Sequence, residues 1–226
     1  MKKLINVVVL IFVVSLSFAQ ESEVRVVGSF TGVKASEAID VYLKKGEKES
    51  VRVETSGSRL SDVLTEVSGS YLKIHMKDGS HRKSNVKVYV TYVTLNKVSA
   101  SSASNVFSEG TIRSGSLDIS VWSAASVELT IDVETSIVEA SSAGDVVLEG
   151  RAKKLDVEAS SAGEIDAYGL ESEIVDASAS SAGSIKVNVS KELDAHASSG
   201  GSIRYRGAPA KTNTGSSSGG SVKKSN

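Results

Sequence analysis

Asp145 and Glu164 each follow a glycine, Gly144 and Gly163, and stand one copy apart in a recurring pattern. If successive copies lie on neighbouring strands, the two carboxyl groups sit about 5 Å apart. A retaining glycosidase holds its acid and its nucleophile at such a separation, and a weak Ca²⁺ site would need a similar pair. The equivalent positions elsewhere hold Asn105, Ser126, Ser184, Ser202 and Ser221. The position is thus a polar column in which two acids fall side by side, and no catalytic role is expected for it. The glycine-rich nonapeptide of calcium-binding β-rolls is also missing.

The other reactive side chains are sparse. His75, His81 and His196 lack the H-x-H or H-E-x-x-H spacing of a zinc site. Cysteine is absent, so disulfides, thiolate metal sites and a lipid-modified cysteine are excluded. Serine is abundant, yet none is expected on a nucleophile elbow beside a histidine. No dinucleotide-binding or phosphate-loop glycine motif occurs. Neither a cofactor nor a metal is expected. Two aromatic residues remain as candidate ligand contacts. Trp122 replaces the serine found at Ser101, Ser141, Ser160, Ser180, Ser198 and Ser217. An outward indole there would stack on a sugar or anchor a protein contact; the blander expectation, which is favoured, is an indole packed under the N-terminal segment or a neighbouring loop. Tyr168, read in an outward column with Thr130, Glu149, Asn188 and Arg206, is the second candidate.

These side chains are positioned by a repeat. ASSAG occurs at 140, 159 and 179, and looser versions begin at 100, 121, 197 and 216, a step of about 19 residues. A fixed period of this size marks a solenoid. Within each copy the apolar rhythm is two, as in Leu155-Asp156-Val157-Glu158-Ala159, which reads as half-buried strand. Each copy is then one coil of a parallel β-helix with a tight Ser-Ala-Gly corner. Stacking predicts three inward columns: Val98, Ile119, Val138, Val157, Ala177 and Ala195; Ala100, Val121, Ala140, Ala159, Ala179 and Ala197; Val106, Val127, Val146, Ile165, Ile185, Ile203 and Val222. Carrying the alternation through the corner places Ser142, Ser161, Ser181 and Ser199 inward, with Gly144, Gly163, Gly183 and Gly201 supplying backbone angles that a Cβ resists.

Before the coils, residues 20–95 are β-rich. Alternation marks strands at Val24–Val27, Ile39–Leu43, Val51–Glu54, Leu72–His75 and Val86–Val90, with hairpin connections at Lys45-Gly46-Glu47 and Ser68-Gly69-Ser70 and a helical turn at Ser61–Leu64. This region is expected to pack on the first coil, or continue into it, and to cover one open end. Residues 96–208 carry the coils, and 209–226 form an imperfect last coil or a flexible tail. Residues 1–19 read as a signal peptide: Lys2 and Lys3, an apolar run from Leu4 to Val14, and a small-x-small site ending at Ala19. Cleavage removes two of the 26 basic residues and leaves all 27 acidic ones. Such a mildly acidic chain without a basic stripe is a poor nucleic-acid binder, and no further apolar stretch is long enough for a membrane helix.

Phe30-Thr31-Gly32-Val33, Ile39-Asp40-Val41, Val51-Arg52-Val53, Leu72-Lys73-Ile74, Val86–Val90 and Leu95-Asn96-Lys97-Val98, followed by the Ser-Gly coils, resemble in order the family described as putative auto-transporter adhesin, head GIN domain. The resemblance spans roughly residues 25–207. It implies a right-handed parallel β-helix and the setting of secreted Bacteroidota proteins, and it brings no catalytic or binding residue. No membrane β-barrel segment follows the coils, unlike in true autotransporters. The sequence as a whole leads to the expectation of an exported all-β solenoid, in the periplasm, at the cell surface or outside the cell. It would bind an unidentified glycan or protein, or serve as an envelope scaffold, with a carbohydrate-active enzyme as the weakest alternative.

Overall fold

The computed structural model describes residues 21–79 and 85–225; the signal-peptide reading and His81 lie outside them. The chain forms an all-β solenoid preceded by a curled N-terminal sheet. Long strands follow one another in parallel register: β10 (Ile112–Val121), β11 (Ser126–Ala140), β12 (Asp145–Ala159), β13 (Glu164–Ala179) and β14 (Ser184–Ala197). The three expected columns are buried in that register, except for Val222 at the end of the third, which is half-buried. Ile119, Val138, Val157, Ala177 and Ala195 are consecutive ladder partners, each at most 1% exposed. No coil buries its apolar face alone, and the stack turns these faces into one core.

The corner differs from its expected form. The Gly144 N–H donates to the Ser141 carbonyl at 2.9 Å, closing a tight turn whose central residues, Ser142 and Ala143, have φ of 50° and 59°. Positive φ at both centres is the type I′ arrangement. The turn flips the chain out, so Ser142, Ser161, Ser181 and Ser199 are exposed and not inward. The left-handed strain falls on Ser and Ala. Gly144 is needed because a Cβ there would stand 2.5 Å from the Val121 carbonyl oxygen of the preceding coil. Successive corners are stitched together: the Ala143 N–H donates to Ser161 O and the Ala162 N–H to Ser181 O.

At the N-terminal end the ladder does not follow chain order. Strands β2 (Gly32–Ala35) and β3 (Asp40–Lys45) form a coil with their own left-handed corner at Glu37 and Ala38. On one side this coil pairs with β8 (Lys97–Ala100) and β9 (Asn105–Ser108), which lead into β10 and β11. On the other it pairs with β6 (Tyr71–Met76) and β7 (Asn85–Tyr92). The chain therefore builds a middle layer, runs out to the end, returns beyond that layer, and crosses back.

Antiparallel strands close this end. β4 (Ser50–Ser56) pairs with β7 and with β1 (Glu21–Arg25), and β5 (Val63–Ser68) pairs with β6. The turn at Ser68–Tyr71 is a hairpin as expected, whereas Lys45-Gly46-Glu47 is not. β7 lies between β3 and β4, and a Cβ on Gly46 would run into Thr91 of β7. A short 3₁₀ turn, η1, occupies Leu60–Asp62, and β1 ends at Arg25, leaving Val26 86% exposed. The Arg25 guanidinium donates to Val63 O at 2.6 Å and Leu60 O at 2.7 Å, tying β1 to η1 and β5.

At the opposite end, β15 (Ser202–Arg206) pairs with β17 (Ser221–Lys224), and β16 (Lys211–Ser216) pairs with β14. Thr212, Thr214 and Ser216 fall in register with Leu193, Ala195 and Ala197. All three are exposed, and polar side chains on this row leave no apolar face bare at the end of the described stack.

Candidate functional site

Alternation leaves every second side chain of the long strands on an open face, and the chemistry of the molecule lies there. Asp145 and Glu164 are ladder partners as the repeat predicts. Their surroundings make them a structural ion cluster. Lys186 Nζ donates to Glu164 Oε1 at 2.9 Å and to Asp166 Oδ2 at 3.1 Å. Burial, then the charges of Glu164 and Asp166, hold the Asp145 carboxyl above the usual carboxylate range, with Lys186 pulling the other way. The two hydrogen bonds that Lys186 donates to Glu164 and Asp166 raise the pKa of its ammonium in turn.

The two described histidines, His75 and His196, lie on different strands, β6 and β14. His75 is half-buried with Nδ1 at 3.1 Å from its neighbour's carbonyl, Met76 O. His196 is exposed with Nε2 at 2.8 Å from Asp194 Oδ1. Among the described residues no three His, Asp or Glu side chains converge on a metal-sized point. Gly215–Gly219 reads GSSSG and so fits the G-x-S-x-G pattern. It lies at the last corner and leads into β17, whereas an elbow requires a following helix.

Trp122 sits at the edge of the second face, where its coil enters the corner. Its N–H donates to Ala100 O at 3.1 Å, and the half-buried indole carries Lys34 Nζ of β2 at 5.5 Å from the ring. Ser101, the equivalent residue one coil back, is 6% exposed, while Ser141, Ser160, Ser180 and Ser198 are half-exposed. The indole thus lies on a strip of small hydroxyl side chains with the Lys34 cation over one face of its ring.

Tyr168 is placed differently from the simple repeat. The register shifts between Val147 and Glu149, so Glu149 pairs with Gly169 and Tyr168 is an extra residue in a bulge. Its ring lies 4.0 Å below the Arg206 guanidinium, and its hydroxyl is 2.7 Å from Ser225 Oγ. Face and hydroxyl are both engaged within the chain.

Two further features escape the sequence. Tyr89, Tyr42 and Phe107 stack on the outer face with centroids 5.0 and 5.3 Å apart, and Arg52 caps Tyr89 at 3.9 Å. Their alternating positions are visible in the sequence, but the order β7–β3–β9 that stacks them is not. A groove also runs across the coils opposite the Ser corner, floored by Val133, Ala152 and Ser172. One wall reads Arg113, Asp132, Arg151, Glu171 in ladder order, so each charge meets its opposite on the next coil. Lys153 with Glu134 and Lys191 with Glu173 repeat this on the other wall.

Fold and surface together define a solenoid whose ordered side chains face outward on flat or shallow surfaces. The chain belongs to the family described as putative auto-transporter adhesin, head GIN domain, whose model matches residues 29–209. The structure is similar to a putative adhesin from Bacteroides fragilis NCTC 9343, at 22% identity and TM-score 0.84, covering 92% of this chain and 98% of that one. A putative adhesin from Parabacteroides distasonis ATCC 8503 aligns at 19% identity and TM-score 0.73, covering 92% and 97%. A putative lipid binding protein from the same strain aligns at 18% identity and TM-score 0.67, again covering 92% and 97%. At these identities the likeness is one of fold. No curated protein matches the chain. Among the described residues no helix is long and apolar enough to cross a membrane.

Proposed function

We propose that this chain is an exported, non-catalytic, adhesin-like protein that holds rigid ladder faces toward a glycan or protein at the cell surface. Trp122 carries the reading. It is the single tryptophan of the chain, it stays half-exposed on a strip of serines, and Lys34 adds a cation at 5.5 Å. A flat aromatic ring with hydroxyls and a charge beside it stacks on sugars and anchors protein contacts. Tyr168 contributes by orienting Arg206, since its own ring is covered. The family description as an adhesin supports the binding role, and the residues 1–19 support export.

Protease shaving of intact cells expressing the native protein, with a periplasmic protein as control, tests the location. Digestion with the control intact is expected; protection would replace this reading with an internal envelope scaffold. Glycan and protein panels then follow with wild type and Trp122→Ala. Binding should fall in the variant and quench or shift the fluorescence of the lone indole in the wild type.

A further inference from the structure

The last acidic residue of the chain is Asp194; after it come Arg204, Arg206, Lys211, Lys223 and Lys224. In a molecule with 27 acidic and 26 basic residues the last coils therefore add only cations, of which Lys211 is held by Glu192 of β14. The backbone register orders these charges. Ser184, Ser202 and Ser221 are consecutive ladder partners, and so are Lys186, Arg204 and Lys223 on the same face. Arg206 follows Asn188 in the next outward column. Three coils in succession thus present a hydroxyl, a cation and a second polar group side by side. Lys186 is held by Glu164 and Asp166. Arg204, Arg206 and Lys223 are exposed and pair with no carboxylate among the described residues.

Like charges in register repel, and the groove of this same molecule avoids that by alternating sign. The cationic column keeps the repulsion, which an anionic ligand would relieve. We propose that the outer face of the last two coils, centred on Arg204 and Lys223, binds a linear acidic polysaccharide lying along the solenoid axis. This rests on the surface-binding reading above and names a ligand class for it. Successive cations are one coil apart, about 4.8 Å, a step close to the length of one sugar ring in an extended chain. Carboxylates of the chain then meet the free pair Arg204 and Lys223, with Ser202 and Ser221 beside the ring hydroxyls. An acidic peptide strand repeats its side chains at about 6.7 Å and would slip out of step. A membrane would touch the end, Lys223 and Lys224, and leave Arg204 on the side. Arginine adds a bidentate fork for carboxylate.

The test is titration of the purified protein with polygalacturonate oligomers at physiological salt by calorimetry, with dextran oligomers and phosphatidylglycerol vesicles alongside. The variants are Arg204→Gln with Lys223→Gln, and Lys44→Gln with Lys45→Gln as a charge-matched control at the far end. Melting curves confirm that each is folded. Polygalacturonate should bind, dextran should not, and affinity should drop roughly tenfold or more in the double variant but less than about twofold in the control. Wild type that ignores polygalacturonate, a double variant that binds as well as wild type, or capture of vesicles in its place each overturns the assignment. Trp122-dependent binding would survive all three, so the two readings fail separately.

Discussion

Arg206 lies over the ring of Tyr168, with 4.0 Å between the guanidinium carbon and the ring centroid. The tyrosine belongs to a bulge in β13, and the arginine ends β15. The 2.7 Å hydroxyl contact to Ser225 extends the same link past β17. One side chain therefore fastens the two outermost layers, whose inner row of Thr212 and Thr214 gives little burial. Tyr168→Ala should raise amide hydrogen exchange across 211–225 about tenfold or more while leaving β11 and β12 unchanged. Tyr168→Phe keeps the stacking and should give a smaller effect, of about 1 kcal/mol in local opening.

The corner makes opposite forecasts for adjacent residues. Gly144→Ala would bring a methyl to 2.5 Å from Val121 O and 2.8 Å from its carbon, both backbone atoms. A loss of about 3 kcal/mol or more is expected in denaturant unfolding. Ala143→Gly removes a Cβ from a residue at φ 59° and should stabilise by about 0.5–1 kcal/mol. Equal effects from the two would refute this account of the turn.

Leu155 is fully buried and pairs with Ser136 on one side and Val175 on the other. Leu155→Ala should cost about 3 kcal/mol, read as a lower urea midpoint. An effect below about 1 kcal/mol would mean that the stack collapses onto the cavity.

Asp156, Asp176 and Asp194 form another unalternated column. Burial, followed by Asp156 and Asp194, pushes the Asp176 carboxyl upward, against Lys154 and His196. A carboxyl whose folded pKa lies above its unfolded one destabilises the fold when ionised. The penalty is therefore present above the folded pKa and is relieved as pH falls through it. Asp176→Asn should melt higher than wild type at neutral pH, and the difference should shrink on acidification. A constant difference across that range would count against the repulsion.

The coils were legible because two signals agree along 98–203: a step near 19 residues and an inward residue at every second position. That agreement sets Val138 over Val157 and Ala140 over Ala159 before any coordinates. Parity failed where it was carried through the corner, since two left-handed residues reset it, and Ser142 came out on the wrong side. The ladder step changed just after Tyr168, where a bulge adds one residue and Gly169 takes the place opposite Glu149. The N-terminal pairing was hidden for another reason. β3 lies between β7 and β9 in space but precedes both in sequence, and alternation in a strand does not name its partner. Of the candidate site, Trp122 was visible as a break in the serine pattern. Its neighbour Lys34 was not, because it arrives from that same reordered region.

The polar last coil also has a mechanical meaning. Hydrogen bonds between coils run along the long axis, so tension applied between the two ends loads them one layer at a time. The layer of Thr212 and Thr214, both exposed at the end of the stack, buries least and should open first. Each coil of about 19 residues then pays out roughly 60 Å of chain. A pull along this axis should then be taken up in steps from one end, with the remaining faces intact.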